Sequence, residues 1–250
     1  MNTARSVLSN LLKPFDGVAF GSHRLTERLL AGIARTRPSV PRYTQTWDVA
    51  VVLNHLRSKM PLASLSWKDL TFKLVSLVAL VTAQRCQTIH LLDTAHMTKT
   101  DSKFSFQIAK PLKTSKPGRS LPQVELHKYH EEAVCVYRTL ERYIEVTALY
   151  RKQSALFLSY HAPHNPVGKD TISRWIKCGL HEAGIDVDQF KAHSTRAAST
   201  SAARHQSLPV KDILVVAGWE HESTFDKFYN KSDSLQKTYA ESVLSQCEQV

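Results

Sequence analysis

Apolar positions recur along this chain at two spacings, and those spacings divide it into elements. Leu25, Leu29 and Leu30 predict a helix that ends near Arg35-Thr36-Arg37-Pro38. From Thr46 the spacing is again helical, with Trp47, Val51 and His55 on one face. Ser66-Trp67-Lys68-Asp69 has the form of a capping box, in which a hydroxyl and a carboxylate three residues apart start a helix. Behind it Leu70, Leu74, Leu77, Val78 and Val81 form a stripe that delivers Arg85 at the helix end. Two strand-like runs follow, 103–109 and 121–126, joined by the basic, Pro- and Gly-containing segment 110–119. They predict a hairpin with a positively charged tip. Helical patterns return at 131–150 and at 170–182, the second closed by Gly184. Another covers 194–205, rich in Ala and Ser and so able to pack close to a neighbour. Shorter ones cover 208–216 and 223–229, with a polar helix expected in the tail. There is no internal repeat and no low-complexity stretch. The expected class is mainly α with a small antiparallel sheet, an α+β arrangement.

Charge narrows the picture. The 250 residues carry a formal net charge of +11, which favours polyanionic partners because each phosphate contact releases counterions. Composition alone leaves solubility or a membrane surface as other readings of that charge. With 42% hydrophobic residues the chain can bury a core, yet no apolar run is long enough to span a bilayer. Cys86, Cys135, Cys178 and Cys247 are scattered, which argues against a zinc module and a disulfide framework and for a reducing compartment. The opening residues do not form a signal peptide, since Lys13-Pro14 and Asp16-Gly17 break their apolar positions. His127 with His130, and His161 with His164, have ligand-like spacing but no accompanying carboxylate or thiol set, so no metal is expected. No phosphate-binding glycine loop is present, and no nucleotide or other cofactor is expected.

The chemistry concentrates late in the chain. Lys191-Ala192-His193-Ser194-Thr195-Arg196 places an imidazole and a guanidinium one helical turn apart, on one face. Ala217-Gly218-Trp219 and then Tyr229 follow. A guanidinium grips phosphate with two parallel donors, an imidazole moves protons near neutrality, and a phenol can attack phosphorus once its proton is removed or stabilised. Together they suit a phosphodiester.

This ordered set resembles the tyrosine recombinases, the phage-integrase family that cuts and rejoins DNA through a phosphotyrosine. The matching positions are Arg85 in Ala83-Gln84-Arg85-Cys86-Gln87, Lys113 in Pro111-Leu112-Lys113-Thr114-Ser115-Lys116, His193 with Arg196, Trp219, and Tyr229. The wording around Pro41-Arg42-Tyr43-Thr44, Gln84-Arg85-Cys86-Gln87 and Ala217-Gly218-Trp219-Glu220 further resembles the recombinases of Ngaro and DIRS-type retrotransposons. The resemblance implies an integrase-type catalytic domain over 43–250. Residues 1–42 would then be a remnant of an N-terminal helical DNA-clamping domain, or a linker.

It implies roles as well. Arg85 and Arg196 would clamp the non-bridging oxygens of the scissile phosphate, and Tyr229 would be the nucleophile. His193 would handle protons or contact the phosphate. Trp219 fills a slot that is often His, and its single indole donor cannot shuttle protons. Lys113 would be the general acid for the leaving 5′ hydroxyl; spacing favours it over Lys116 and Lys110, which stay open. Double-stranded DNA would be the partner, with a homotetramer assembled on it by exchange of C-terminal segments and a nuclear location. The rival readings are a DNA-binding remnant without strand exchange, a type IB topoisomerase, and a structural relic of a dead element.

Overall fold

The computed structural model describes residues 2–37, 45–112, 115, 122–228 and 232–233. The chain divides into two compact units, 1–42 and 43–250. In the first, helix α1 (Asn2–Leu11) is followed by a 3₁₀ turn at Phe20–Ser22 and helix α2 (Arg24–Thr36). The Gly21 amide donates to Ser9 Oγ at 3.1 Å, which ties the turn to α1. His23 caps α2, its Nδ1 accepting from the Leu25 amide. The predicted leucine row does form a helix, but Leu25 and Leu29 are exposed. The α1 helix was not legible from the apolar spacing.

The second unit opens with β1 (Gln45–Thr46), α3 (Val49–Ser58), α4 (Trp67–Thr82) and the short α5 (Cys86–Ile89). Three strands come next, β2 (Met97–Lys99), β3 (Lys103–Gln107) and β4 (Gln123–His127). The described residues then form five further helices, α6 (Val136–Thr147), α7 (Lys169–Glu182), α8 (Ser194–His205), α9 (Val210–Ala217) and α10 (Glu222–Phe228), and the helix expected in the tail lies outside the described residues. A two-residue strand β5 (Ser232–Asp233) lies parallel to β1.

Helix α4 is the axis of this unit, packed by α6, α7, α8 and β4. Ser66 caps it as expected, Oγ accepting from the Asp69 amide at 3.1 Å. Every residue from Leu70 to Leu80 is buried, so the helix is enclosed on all sides rather than along one stripe. Val81, expected in the stripe, is 47% exposed because the helix emerges there. Gly179 lets α7 cross α4 closely: a Cβ on it would stand 2.6 Å from Ser76 Oγ. Lys73 is buried within this packing, and its Nζ donates to the carbonyls of Leu56 at 2.8 Å and Lys59 at 2.6 Å. It thereby closes the end of α3. Burial lowers its pKa to about 8.

In α3 the inward face is Val52 and Leu56, while Val51 is exposed. The expected Trp47, Val51, His55 face fails because Trp47 precedes the helix. Asp48 is the cap, accepting from the Ala50 amide at 2.8 Å, so Trp47 does not share the helical period. The sheet is antiparallel in the order β2-β3-β4, with Phe104 opposite Leu126 and Phe106 opposite Val124. Those four side chains alternate inward onto the core, as a half-buried sheet requires. The third strand, β2, is too short to show a period. Among the described residues no helix is long and apolar enough to cross a membrane.

Candidate functional site

Five segments converge where α4 ends. Ala83 terminates α4 in the left-handed conformation (φ 48°), uncommon for a residue with a Cβ, and is buried. The chain turns there, and Arg85 becomes the residue that caps α5. On the other side, α9 ends on Gly218 at φ 66°. The Gly218 amide donates to the Val215 carbonyl and the Trp219 amide to the Leu214 carbonyl, which is a Schellman closure. The closure throws Trp219 out of the helix and back over the core.

Arg196 joins these two turns. It lies in the first helical turn of α8, only 1% exposed, and is the largest fully buried side chain described. One terminal nitrogen donates to the Ala83 carbonyl and the other to the Ala217 carbonyl, the latter at 2.9 Å. The guanidinium carbon sits 4.7 Å from the Trp219 ring centre. A planar fork with parallel donors fits this task, because it satisfies two carbonyls from different helices at once. Gln84 adds a second stitch, its Nε2 donating to the Val216 carbonyl at 2.7 Å.

Trp219 is 8% exposed and belongs to a small separate core with Ala83, Ile213, Ala217 and Phe225. Phe225, on α10, packs against the indole with ring centres 5.8 Å apart. The last residue of α10 is Phe228, so the helix anchored by Trp219 leads directly to Tyr229 in sequence. Tyr229 itself lies outside the described residues, as do Lys113 and Lys116.

Above this floor is a cleft of about 540 Å³. Gln84, Arg85 and Thr88 line it from the turn between α4 and α5. Leu112, Ser115 and Gln123 line it from the β3–β4 hairpin, and Trp219, Glu220 and His221 from the end of α9. Leu112 and Ser115 are the described residues on either side of Lys113-Thr114, and the Leu112 amide donates to Ser115 Oγ at 2.8 Å. Cys86, beside Arg85, is half-buried and its thiol is pushed up by desolvation, which makes it a poor nucleophile.

Of the predicted residues, the structure therefore brings Arg85, Trp219 and Arg196 together. His193 caps the start of α8 and is exposed, while Arg196 one turn later is buried, so the two do not present the same face to the cleft. The start of α8 is fixed by Trp47, whose indole N–H donates to Ser194 Oγ at 2.9 Å. Three residues of the site were not anticipated: Ala83, Gln84 and His221. Their only sequence signal was proximity to Arg85 and Trp219.

The histidine pairs find structural work. His164 stacks on Trp67 with ring centres 4.5 Å apart, and His127 Nε2 lies 3.1 Å from a Glu125 carboxylate oxygen. A larger cavity, about 620 Å³, opens at the opposite end of β4 beside Asp101, His127, His130 and Arg138. None of the predicted site residues lines it.

Solved structures share this fold. XerH site-specific recombinase, in a post-cleavage complex with a palindromic difH substrate, matches 98% of this chain and 64% of its own, at 13% identity and a TM-score of 0.62. A lambda integrase fragment, a dimer bound to a COC′ core site, matches 94% of this chain and 74% of its own, at 15% identity and a TM-score of 0.55. XerA recombinase matches 84% of this chain and 66% of its own, also at 15% identity and a TM-score of 0.55. The fold is that of the tyrosine recombinase catalytic domain. The expected mainly α class with a small antiparallel sheet is therefore correct. No protein-family model matches the chain, and no curated protein matches it. The chain spans about two thirds of the length of XerA and XerH recombinases.

Proposed function

We propose that this chain cuts and rejoins double-stranded DNA through a covalent 3′-phosphotyrosyl bond. The observation that carries the reading is the cleft on a recombinase fold. It collects Arg85 and Trp219 beside Leu112, Ser115 and Gln123 of the segment that bears Lys113, and Trp219 packs on Phe225 of the helix that precedes Tyr229 in sequence. In this mechanism the Tyr229 oxygen attacks a backbone phosphorus. The bond to the 5′ oxygen breaks, and that oxygen takes its proton from Lys113, with Lys116 as the neighbouring candidate. Arg85 balances the charge that builds on the non-bridging oxygens. Arg196 supports the cleft from below, holding the turns that carry Arg85 and Trp219, and His193 is assigned to contact the phosphate or to take the proton that the Tyr229 phenol releases. A 5′ hydroxyl from a second strand then reverses the step, so the bond energy is conserved and no nucleotide cofactor is consumed.

The net charge of +11 suits a DNA partner. XerH and lambda integrase were solved on DNA, and lambda integrase also as a tetramer on a Holliday junction. By analogy we propose that this chain assembles as a homotetramer on DNA, with C-terminal segments exchanged between copies, and that 1–42 contributes to holding the duplex. The resemblance to Ngaro and DIRS-type recombinases proposes a mobile element and a nuclear site of action.

The test is a suicide substrate. Nicked duplexes spanning the DNA that flanks its gene are incubated with the full chain and run on a denaturing gel. The expected result is a covalent adduct that disappears with Tyr229→Phe. Binding of these duplexes without any adduct would overturn strand cleavage and leave a DNA-binding protein.

A further inference from the structure

We infer that His221 is a phosphate-contacting residue of this site, supplying the imidazole that the Trp219 position lacks. The inference deepens the proposed function and rests on a phosphodiester occupying the Arg85 cleft. Three observations lead to it. His221 lines the cleft together with Arg85, whereas His193 does not. It is exposed in the short connection between α9 and α10, two residues beyond Trp219. Its position is also held, because Trp219 is locked between Arg196 and Phe225 and α9 is closed by Gly218.

The chemistry follows from what each lining side chain can do. Trp219 offers one indole donor and no acceptor, and it is almost wholly buried. Arg196 has both terminal nitrogens on backbone carbonyls. Arg85 supplies a permanent positive charge at one side of the cleft. An imidazole lining the same cleft can donate a hydrogen bond to the second non-bridging oxygen of the same phosphate, and donates most strongly as the imidazolium. Among the described residues the charged neighbours that line the cleft with it are Arg85 and Glu220. His221 breaks and makes no covalent bond in this role.

The experiment is a double-mutant cycle on DNA binding, with strand cleavage followed in parallel. Full chains carrying His221→Ala, Arg85→Ala, both, and His221→Gln bind a fluorescent 30-base-pair duplex at pH 6 and low salt. Phosphate contacts do not depend on base sequence, so a generic duplex suffices. We expect His221→Ala to weaken binding about 3–10-fold, roughly the value of one phosphate hydrogen bond. The double variant should lose less than the product of the single losses, because both groups hold one phosphate. His221→Gln keeps a donor and should bind within about twofold of the native chain. Binding unchanged in His221→Ala, or losses that multiply independently, overturns the inference. An exposed side chain is the one changed, and equal melting temperatures confirm that the variants fold. If the native chain forms no adduct on any nicked duplex, strand cleavage fails, and the binding cycle still decides His221.

Discussion

Arg196 is the residue whose two possible tasks make opposite predictions. A guanidinium whose work is to grip substrate phosphate is a cost to the free protein, and its removal leaves stability unchanged or raises it. The structure gives Arg196 another task, since it is 1% exposed and joins the Ala83 and Ala217 carbonyls beneath the Trp219 ring. Arg196→Ala withdraws the guanidinium from both carbonyls, and a buried acceptor deprived of its donor costs about 1–3 kcal/mol. Loss of the indole contact adds about 1 kcal/mol. Release of a desolvated charge offsets part of the sum. The net expectation is a destabilisation of about 3 kcal/mol, which for a chain of this size lowers Tm by roughly 6–12 °C. Arg196→Lys keeps the charge but offers no planar fork, so it should recover no more than about half of the loss. Calorimetry or urea unfolding of the DNA-free protein measures both. Tm values within about 1 °C of native for Arg196→Ala and Arg196→Lys would refute the reasoning and leave phosphate as the guanidinium's partner.

Two further outcomes follow from the packing. Phe225 is fully buried against Trp219 on the helix that leads to Tyr229. Phe225→Ala should cost about 3 kcal/mol and slow adduct formation more than it weakens DNA binding; equal effects on both would detach α10 from the chemistry. Lys73 has a pKa of about 8 in the fold, below its value in the unfolded chain. Between pH 8 and roughly 10.4 the unfolded state therefore holds more protons at this site, so its contribution to stability rises with pH across that window, by roughly 2 kcal/mol. Lys73→Met should remove that rise in urea titrations at pH 7.5 and 10, and an undiminished rise would place its origin elsewhere.

The sequence by itself determined the elements that depend on neighbours along the chain. The Ser66 cap and the Ala- and Ser-rich run of α8 were legible because caps and helical periods are local. So was the alternation of Phe104 and Phe106 with Val124 and Leu126. The order of Arg85, the basic hairpin, His193-Ser194-Thr195-Arg196, Trp219 and Tyr229 pointed to the recombinase fold before any contact was known. Tertiary structure decided how Arg85, Arg196 and Trp219 face one another. Periodicity assigns a side to a helix but not the number of neighbours around it, so α4 read as a stripe and is enclosed on all sides. It also cannot place a residue outside the helix it precedes, which is why the face of α3 shifted from Val51 to Val52 and Leu56. The largest change concerns Arg196, whose partners lie 113 and 21 residues away in sequence. Spacing within α8 paired it with His193; folding buried it instead beneath Trp219, where the meeting of two helix ends supplies a carbonyl to each of its two terminal nitrogens. The same meeting brings His221 to the cleft, because a loop residue takes its position from the helices that hold the loop.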